Sequence, residues 1–598
     1  MGRSIKKRDE IDGRYKWDLA SMYADDADWE RDYALAEERA GAYGAFSGRL
    51  GECAATLLAA FEGKDDIWRI AENVYVYAHM RKDQDNRDRR YQAMSDRAQA
   101  LLAKAAAAVS FFRPEFLEMP EDRIWAFVDE APGLKTYEHL IRVLLREKAH
   151  VLSGGEERLL AQLSEVLGAT GHIFSMLNNA DMKFGTIRDE DGEDTELTHG
   201  RYIGFMESRD RRVRQEAFAR MYEAYERQRN TLAATYSYNT RQDAVMARIR
   251  KHPSSLEAAL SGDNVPVSVY ESLLASVNGR LGALHRYLGV RRRLLGLDEL
   301  HMYDLYAPIA DSGGRKVPYE EGLDIMREGL AVLGEEYVGT ASRGLAEGWV
   351  DVFENEGKTS GAYSFGSYDS KPFIMLNYSE KLKDVFTIAH EMGHSMHSWY
   401  SRGSQPFVYG GHSIFTAEVA STVNECLLMN HLLAKAKDTE EKRYLLSLYI
   451  DEFRTTLFRQ AMFAEFEKAT HEAVEGGGAL TADWLSEAYM GLNRKYFGES
   501  AVCDGPIAME WARIPHFYRA FYVYKYATGY SAAAAISKGL IEGGAEARDA
   551  YISFLKTGES DDPIELLKIA GVDMGRPEPV ERAMDAFEGL VDELEALS

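Results

Sequence analysis

His390, Glu391 and His394 form the pattern H-E-x-x-H inside residues 385–394. On an α-helix, residues four apart lie one turn above each other on one face. Two imidazoles so placed can reach one metal ion, with Glu391 beside them as a base. The flanks fit a helix: Asp384 is placed as its N-cap, apolar residues follow, and Gly403 and Pro406 mark its end. A third donor lies downstream. After a loop at 404–411, residues 413–425 read as a second helix, and its Glu418 stands 24 residues past His394. That spacing allows an antiparallel return that presents a carboxylate to the same ion. Two His and one Glu, with no Cys nearby, leave a fourth position open for water, as a catalytic zinc site requires.

Further residues can be assigned around this set. Glu425 lies two helical turns after Glu418 and can accept the second ring N–H of a ligand histidine, fixing its tautomer. His412 is close enough in sequence to Glu418 to approach a substrate. His397 is expected off the metal line as a hydrogen-bonded histidine, and Cys426 in the core. A zinc ion at such a site lowers the pKa of a water to about 7. Glu391 would take the proton and pass it to a leaving amine. The tetrahedral oxyanion needs further donors. The aromatic-rich segment 513–530 supplies candidates: His516, Tyr522 and Tyr526, the two tyrosines at helical i, i+4 spacing.

These residues need a scaffold. Of 598 residues, 45% are apolar and 28% charged, which suits a globular chain with a large core. The formal net charge of -25 argues against nucleic acid or an anionic membrane as partner. Three widely spaced cysteines suggest neither a disulfide framework nor a Cys-based metal site. The basic N-terminal stretch is followed by no apolar run of a signal peptide, so a cytoplasmic location is expected.

Residues 14–171 read as successive amphipathic helices, at 26–41, 67–82, 87–112 and 137–150. Two short runs around Asp191-Gly192 read as a β-hairpin, with 182–187 as its first strand. A soft boundary near residue 200 divides an N-terminal helical domain (1–200) from a catalytic domain (201–598). Long helices resume at 212–251 and 268–295, and Arg291 to Arg293 read as a solvated face. A loop is expected at 308–318. Residues 360–378 form two strands that lead into the H-E-x-x-H helix, and a strand edge at Gly361, Ala362 and Tyr363 could pair with an extended peptide. His471 to Glu475 read as an ordinary charged helix face.

Together these stretches resemble the oligoendopeptidase F family, relatives of thimet oligopeptidase among the zinc metallopeptidases. The resemblance rests on residues 390–397, 418–425, 361–364, 515–529, 554–563 with 571–573, and Trp17-Asp18-Leu19, and so spans nearly the whole chain. It implies a mostly α, multi-helix zincin-type fold with a small β element beside the active-site helix. A deep channel would admit short peptides. It implies one Zn2+ held by His390, His394 and Glu418, Glu391 as base, and His516 with Tyr522 or Tyr526 at the oxyanion. A carboxypeptidase or dipeptidase on the same scaffold is the alternative activity, and an inert helical peptide-binding scaffold the alternative class.

Overall fold

In the computed structural model, described over residues 5–310 and 316–598, helices dominate. Residues 1–4, where the basic N-terminal stretch starts, and 311–315, within the expected loop 308–318, lie outside the described residues. The chain folds as two compact units, each assembled from separate segments. Unit 1 comprises Met1–Val151, Arg315–His431 and Ile536–Gly571. Unit 2 comprises Leu152–Gly314, Leu432–Ala535 and Val572–Ser598, so the boundary expected near residue 200 falls inside it.

Unit 1 opens with α1 (Asp26–Tyr43), α2 (Ala54–Gln84) and α3 (Arg89–Val109). Asp25 caps α1 by accepting from the N–H groups of Ala27 and Asp28, and Asp88 caps α3 through Arg90 N–H. Along α2, Ala60, Ile67, Ala71, Val74 and Ala78 recur at three-, four- and seven-residue steps and are buried. The core that includes the last three continues into the only sheet of unit 1 among the described residues, through Phe373 and Met375.

That sheet has strands β1 (Val350–Asp351), β2 (Tyr363–Phe365) and β3 (Phe373–Met375), in the order β1-β3-β2. β2 and β3 are the expected antiparallel pair, in the register Tyr363 opposite Met375. β1 runs parallel to β3 and is too short to show a period in sequence. Central β3 is buried on both faces, whereas β2 is an edge strand. In β1, buried Asp351 meets Arg8 at 2.5 Å and Lys358 at 2.8 Å. Burial alone would raise the Asp351 pKa, but these two cations hold it below the usual carboxylate range. Tyr363 Oη donates to Asp83 of α2 at 2.9 Å, which fastens β2 to the helical core.

The motif helix α4 spans Leu382–Ser404, and the second helix, α5, spans Ile414–Ala434. α4 starts before Asp384, so that residue is not the N-cap. From inside the first turn its carboxylate accepts from the N–H groups of Ser379 and Lys381 at 2.8 and 2.9 Å. At the other end, Arg402 donates to the carbonyls of Ser367 and Gly366 in the β2–β3 loop. Gly393 sits where the two helices cross. A Cβ there would stand 2.5 Å from Ser421 Cα and 2.6 Å from the Ala420 carbonyl oxygen. Close by, Asn424 Nδ2 of α5 donates to the Ala389 carbonyl of α4 at 3.0 Å.

In unit 2 the hairpin forms with slightly later strands, Thr186–Arg188 and Asp194–Glu196. The 212–251 stretch divides into Arg211–Arg227 and Arg229–Ile249. Two expectations of solvated charge need correction. Arg291 is buried, not solvated. It pairs with Asp451 at 3.2 Å and donates to the carbonyls of Asp304 and Ala307, so only Arg292 and Arg293 keep to the exposed face. His471 is likewise buried, against the ring of Phe521, with its Nε2 3.4 Å from Asp243. Only its neighbours, such as Glu472, face water.

Gly393→Ala is expected to push α4 and α5 apart. Forcing one methyl into backbone contact should cost about 1–3 kcal/mol of stability and weaken metal binding with it. Thermal denaturation and a metal titration check this. Wild-type behaviour in both would contradict the crossing.

Candidate metal centre

α4 carries His390 and His394 on one face, with ring centroids 4.8 Å apart, and α5 brings Glu418 opposite them. His390 Nε2 and His394 Nε2 are 3.2 Å apart. Glu418 Oε2 lies 3.6 Å from the first and 3.7 Å from the second. Ligands about 2.0–2.1 Å from a tetrahedral ion stand roughly 3.3 Å from one another, so the triangle has the size that zinc requires. Among the described residues this is the one His/Cys/Asp/Glu group whose donor atoms converge in this way. The donor set fits a metal ion.

His390 Nδ1 lies 3.3 Å from Glu425 Oε2, one step further along α5. A ring that donates there is fixed with Nε2 toward Glu418. Burial works against charge on His390, but its hydrogen bond to Glu425 and the nearby carboxylates hold its pKa up to about 9. Burial and the charge of His390 push His394 down to about 3. Glu391 is buried, and that burial pushes its carboxyl up to about 7, partly offset by the charge of His390 and a backbone hydrogen bond from Ser364 of β2. Ser364 Oγ also meets Ser395 Oγ of α4 at 2.8 Å, so β2 and the motif helix are linked directly.

The remaining expected residues fall in two groups. Gly361, with φ +91°, and Ala362 precede β2, and Tyr363 opens it. Gly361 accepts from Asn377 Nδ2 at 2.8 Å. His412 stacks on His397, centroids 4.4 Å apart at 16°. His397 is therefore not the hydrogen-bonded histidine expected. It is buried, and among the described residues neither ring nitrogen has a partner. Seven residues from His390 is nearly two full turns, which returns His397 toward the inner face of α4.

In unit 2, His516, Tyr522 and Tyr526 form one cluster. Tyr526 Oη meets His516 Nε2 at 3.4 Å, and the Tyr522 and Tyr526 rings are 5.5 Å apart. Tyr522 is not on a helical face with Tyr526, because the helix begins at Tyr524. The residue before it, Phe521, is left-handed at φ +53° and donates its N–H to buried Glu467. Burial and the cations Arg519 and Arg459 hold His516 below the usual imidazole range.

Gly393, Asn424, Ser395 and Arg402 are the supporting residues that sequence reasoning missed. A glycine inside an otherwise helical pattern was the available signal for the first. The other three act through partners distant in sequence.

In the metal-free protein near pH 7.5, His390 carries a proton that metal uptake must displace. Roughly one proton per ion should be released, seen as a buffer-dependent heat of zinc binding. Affinity should rise with pH up to about 9 and level off above it, where the ring is neutral. Buffer-independent heats and a flat pH profile would contradict this protonation state.

Comparison with known proteins fits this geometry. The family model of Peptidase family M3 matches residues 204–586, and that of Oligopeptidase F matches 115–184. Oligopeptidase PepF of Bacillus subtilis (strain 168) is 45% identical over 593 residues, covering 99% of this chain and 88% of its own. Group B oligopeptidase PepB of Streptococcus agalactiae serotype III (strain NEM316) is 42% identical over 99% of this chain and 98% of its own. The solved structure of oligoendopeptidase-F from Enterococcus faecium superposes with TM-score 0.75 at 39% identity, covering 96% of this chain and 99% of that one. A histidine pair and a carboxylate on two crossing helices thus stand in a chain matched along its length by oligopeptidases: it belongs to peptidase family M3, in the oligoendopeptidase F group, and is a metalloendopeptidase.

Proposed function

We propose that this metallopeptidase uses zinc and hydrolyses internal bonds of short peptides, with His390, His394 and Glu418 as ligands and Glu391 as general base. The observation that carries this reading is the convergence of three donors on one point, beside a buried carboxyl poised near pH 7. When bound, the ion supplies Lewis acidity, lowering the pKa of water to about 7 and polarising the scissile carbonyl. Glu391 removes the proton from the attacking water and delivers it to the leaving amine. Its pKa of about 7 suits both transfers. Glu425 keeps the His390 ring in place. His516, Tyr522 and Tyr526 are assigned to the oxyanion, as neutral hydrogen-bond donors.

The peptide backbone is assigned to the free edge of β2, with Gly361, Ala362 and Tyr363 as the first contacts and His412 beside them. Edge pairing reads main chain and so tolerates varied side chains. We place the activity in the cytoplasm, a reading supported by three cysteines that form no disulfide among the described residues, one of them exposed. Among the described residues no helix is long and apolar enough to cross a membrane.

A peptide blocked at both ends, incubated with wild type, with chelator-treated enzyme and with Glu391→Gln, tests the reading. Internal cleavage by wild type only is expected. Glu391→Gln should retain metal and lose roughly two to four orders of magnitude in rate. Release of terminal residues alone, from unblocked peptides alone, would favour an exopeptidase. An active Glu391→Gln would overturn the assigned base.

A further inference from the structure

Unit 2 contains a cavity of about 210 Å³ that no step above uses. Its wall carries Arg454, Arg459 and Arg513 but a single carboxylate, Glu510. Glu510 is already committed, accepting from Arg459 at 2.5 Å and from Tyr489 Oη at 2.6 Å. Asp451 pairs with Arg454 at 2.8 Å but is shared with buried Arg291. Arg513 is left over. Its guanidinium makes no hydrogen bond among the described residues, its Nε is buried without a partner, and Glu510 is 3.9 Å away. Tyr202, Tyr222 and Tyr306 also line this space. The Arg513 guanidinium lies 5.3 Å from the centre of the Tyr202 ring, and that of Arg454 4.8 Å from the Tyr306 ring.

Arg454, Arg459 and Arg513 share Glu510 and an Asp451 that Arg291 also claims, and cations short of counter-charge are costly to bury, as is the unpartnered Nε of Arg513. Local charge is visibly unbalanced. Burial alone would raise the Tyr306 phenol, yet Arg459 and Arg454 bring it below its ordinary value. An anion beside Arg513 would supply the missing counter-charge and accept from its guanidinium and from neighbouring phenols. Apart from His199 and Tyr496, the rest of the wall is apolar, including Met206, Phe218, Leu284, Phe458 and Met462. A monatomic ion would leave most of that volume unfilled. We propose that this cavity is a binding site for a small organic carboxylate, its anionic head on Arg513, Tyr306 and Tyr202 and its apolar tail against the methionine and phenylalanine wall.

Calorimetric titration of the full chain with sodium 3-methylbutanoate, 3-methylbutanamide, chloride and sulfate at constant ionic strength tests this. The carboxylate should bind saturably and raise the melting temperature. The isosteric amide should bind at least about tenfold more weakly, since charge-assisted hydrogen bonds are lost. Arg513→Gln should weaken the carboxylate by about tenfold or more, and Tyr306→Phe by a few-fold, with heats rather than hydrolysis as the readout. No saturable binding by the wild type would overturn the proposal. So would unchanged binding in Arg513→Gln, which would put the carboxylate elsewhere, on the catalytic metal for instance. Tighter binding of chloride or sulfate than of the carboxylate would also overturn it, in favour of an inorganic ion. Should Arg513→Gln fail to fold, the carboxylate–amide contrast and Tyr306→Phe decide.

Discussion

α4 and α5 approach until backbone meets backbone, and one missing methyl group permits it. At Gly393 a side chain of any size would occupy the space of the Ala420 carbonyl oxygen and Ser421 Cα. This contact sets how far Glu418 stands from His390 and His394. Distances of 3.6 and 3.7 Å between carboxylate and imidazoles leave little slack, because a ligand shell tolerates shifts of only a few tenths of an ångström. The bond from Asn424 to Ala389 holds the same crossing from the other side, and Tyr337 Oη in turn bonds Asn424 at 3.1 Å. Glycine in mid-helix weakens that helix, and here the loss is offset by the site that the crossing creates.

The helices are held in place by a buried polar frame. Lys358 donates to the carbonyls of Asp351, Phe353 and Leu376 and pairs with the Asp351 carboxylate, tying the loop before β2 to both β1 and β3. Arg402 joins the end of α4 to the β2–β3 loop, and Ser395 joins its middle to Ser364. The sheet is small, but it is built into the core of α1–α3 through Phe373 and Met375. N-terminal helices with no metal ligand thereby position the edge strand beside the centre. Buried networks of this kind are satisfied almost fully or become a liability, which makes His397, with neither ring nitrogen hydrogen-bonded among the described residues, a notable exception.

Much of the centre was legible in the sequence because its spacing is helical. His390 and His394 follow from one turn of helix, and Glu418 and Glu425 from two turns on a returning helix. The long helices of unit 1 were readable from apolar periodicity, as in α2. What escaped reading depends on contacts between distant segments. β1 is two residues long and exists only because β3 lies beside it. Arg291 looked solvated because charge runs usually are, but Asp451, 160 residues away, draws it inside. Tyr522 looked helical because the i, i+4 spacing is there. The buried Glu467 instead holds Phe521 in a left-handed turn, which delays the helix to Tyr524.

The central claim is that two imidazoles of α4 and one carboxylate of α5 hold a single catalytic zinc ion. X-ray absorption at the zinc edge, on protein loaded with one equivalent, tests it most directly. Two imidazole nitrogens with the remaining shell made of oxygen, at about 2.0–2.2 Å, is the expected result. A sulfur donor, or a shell with fewer than two imidazoles, would contradict it.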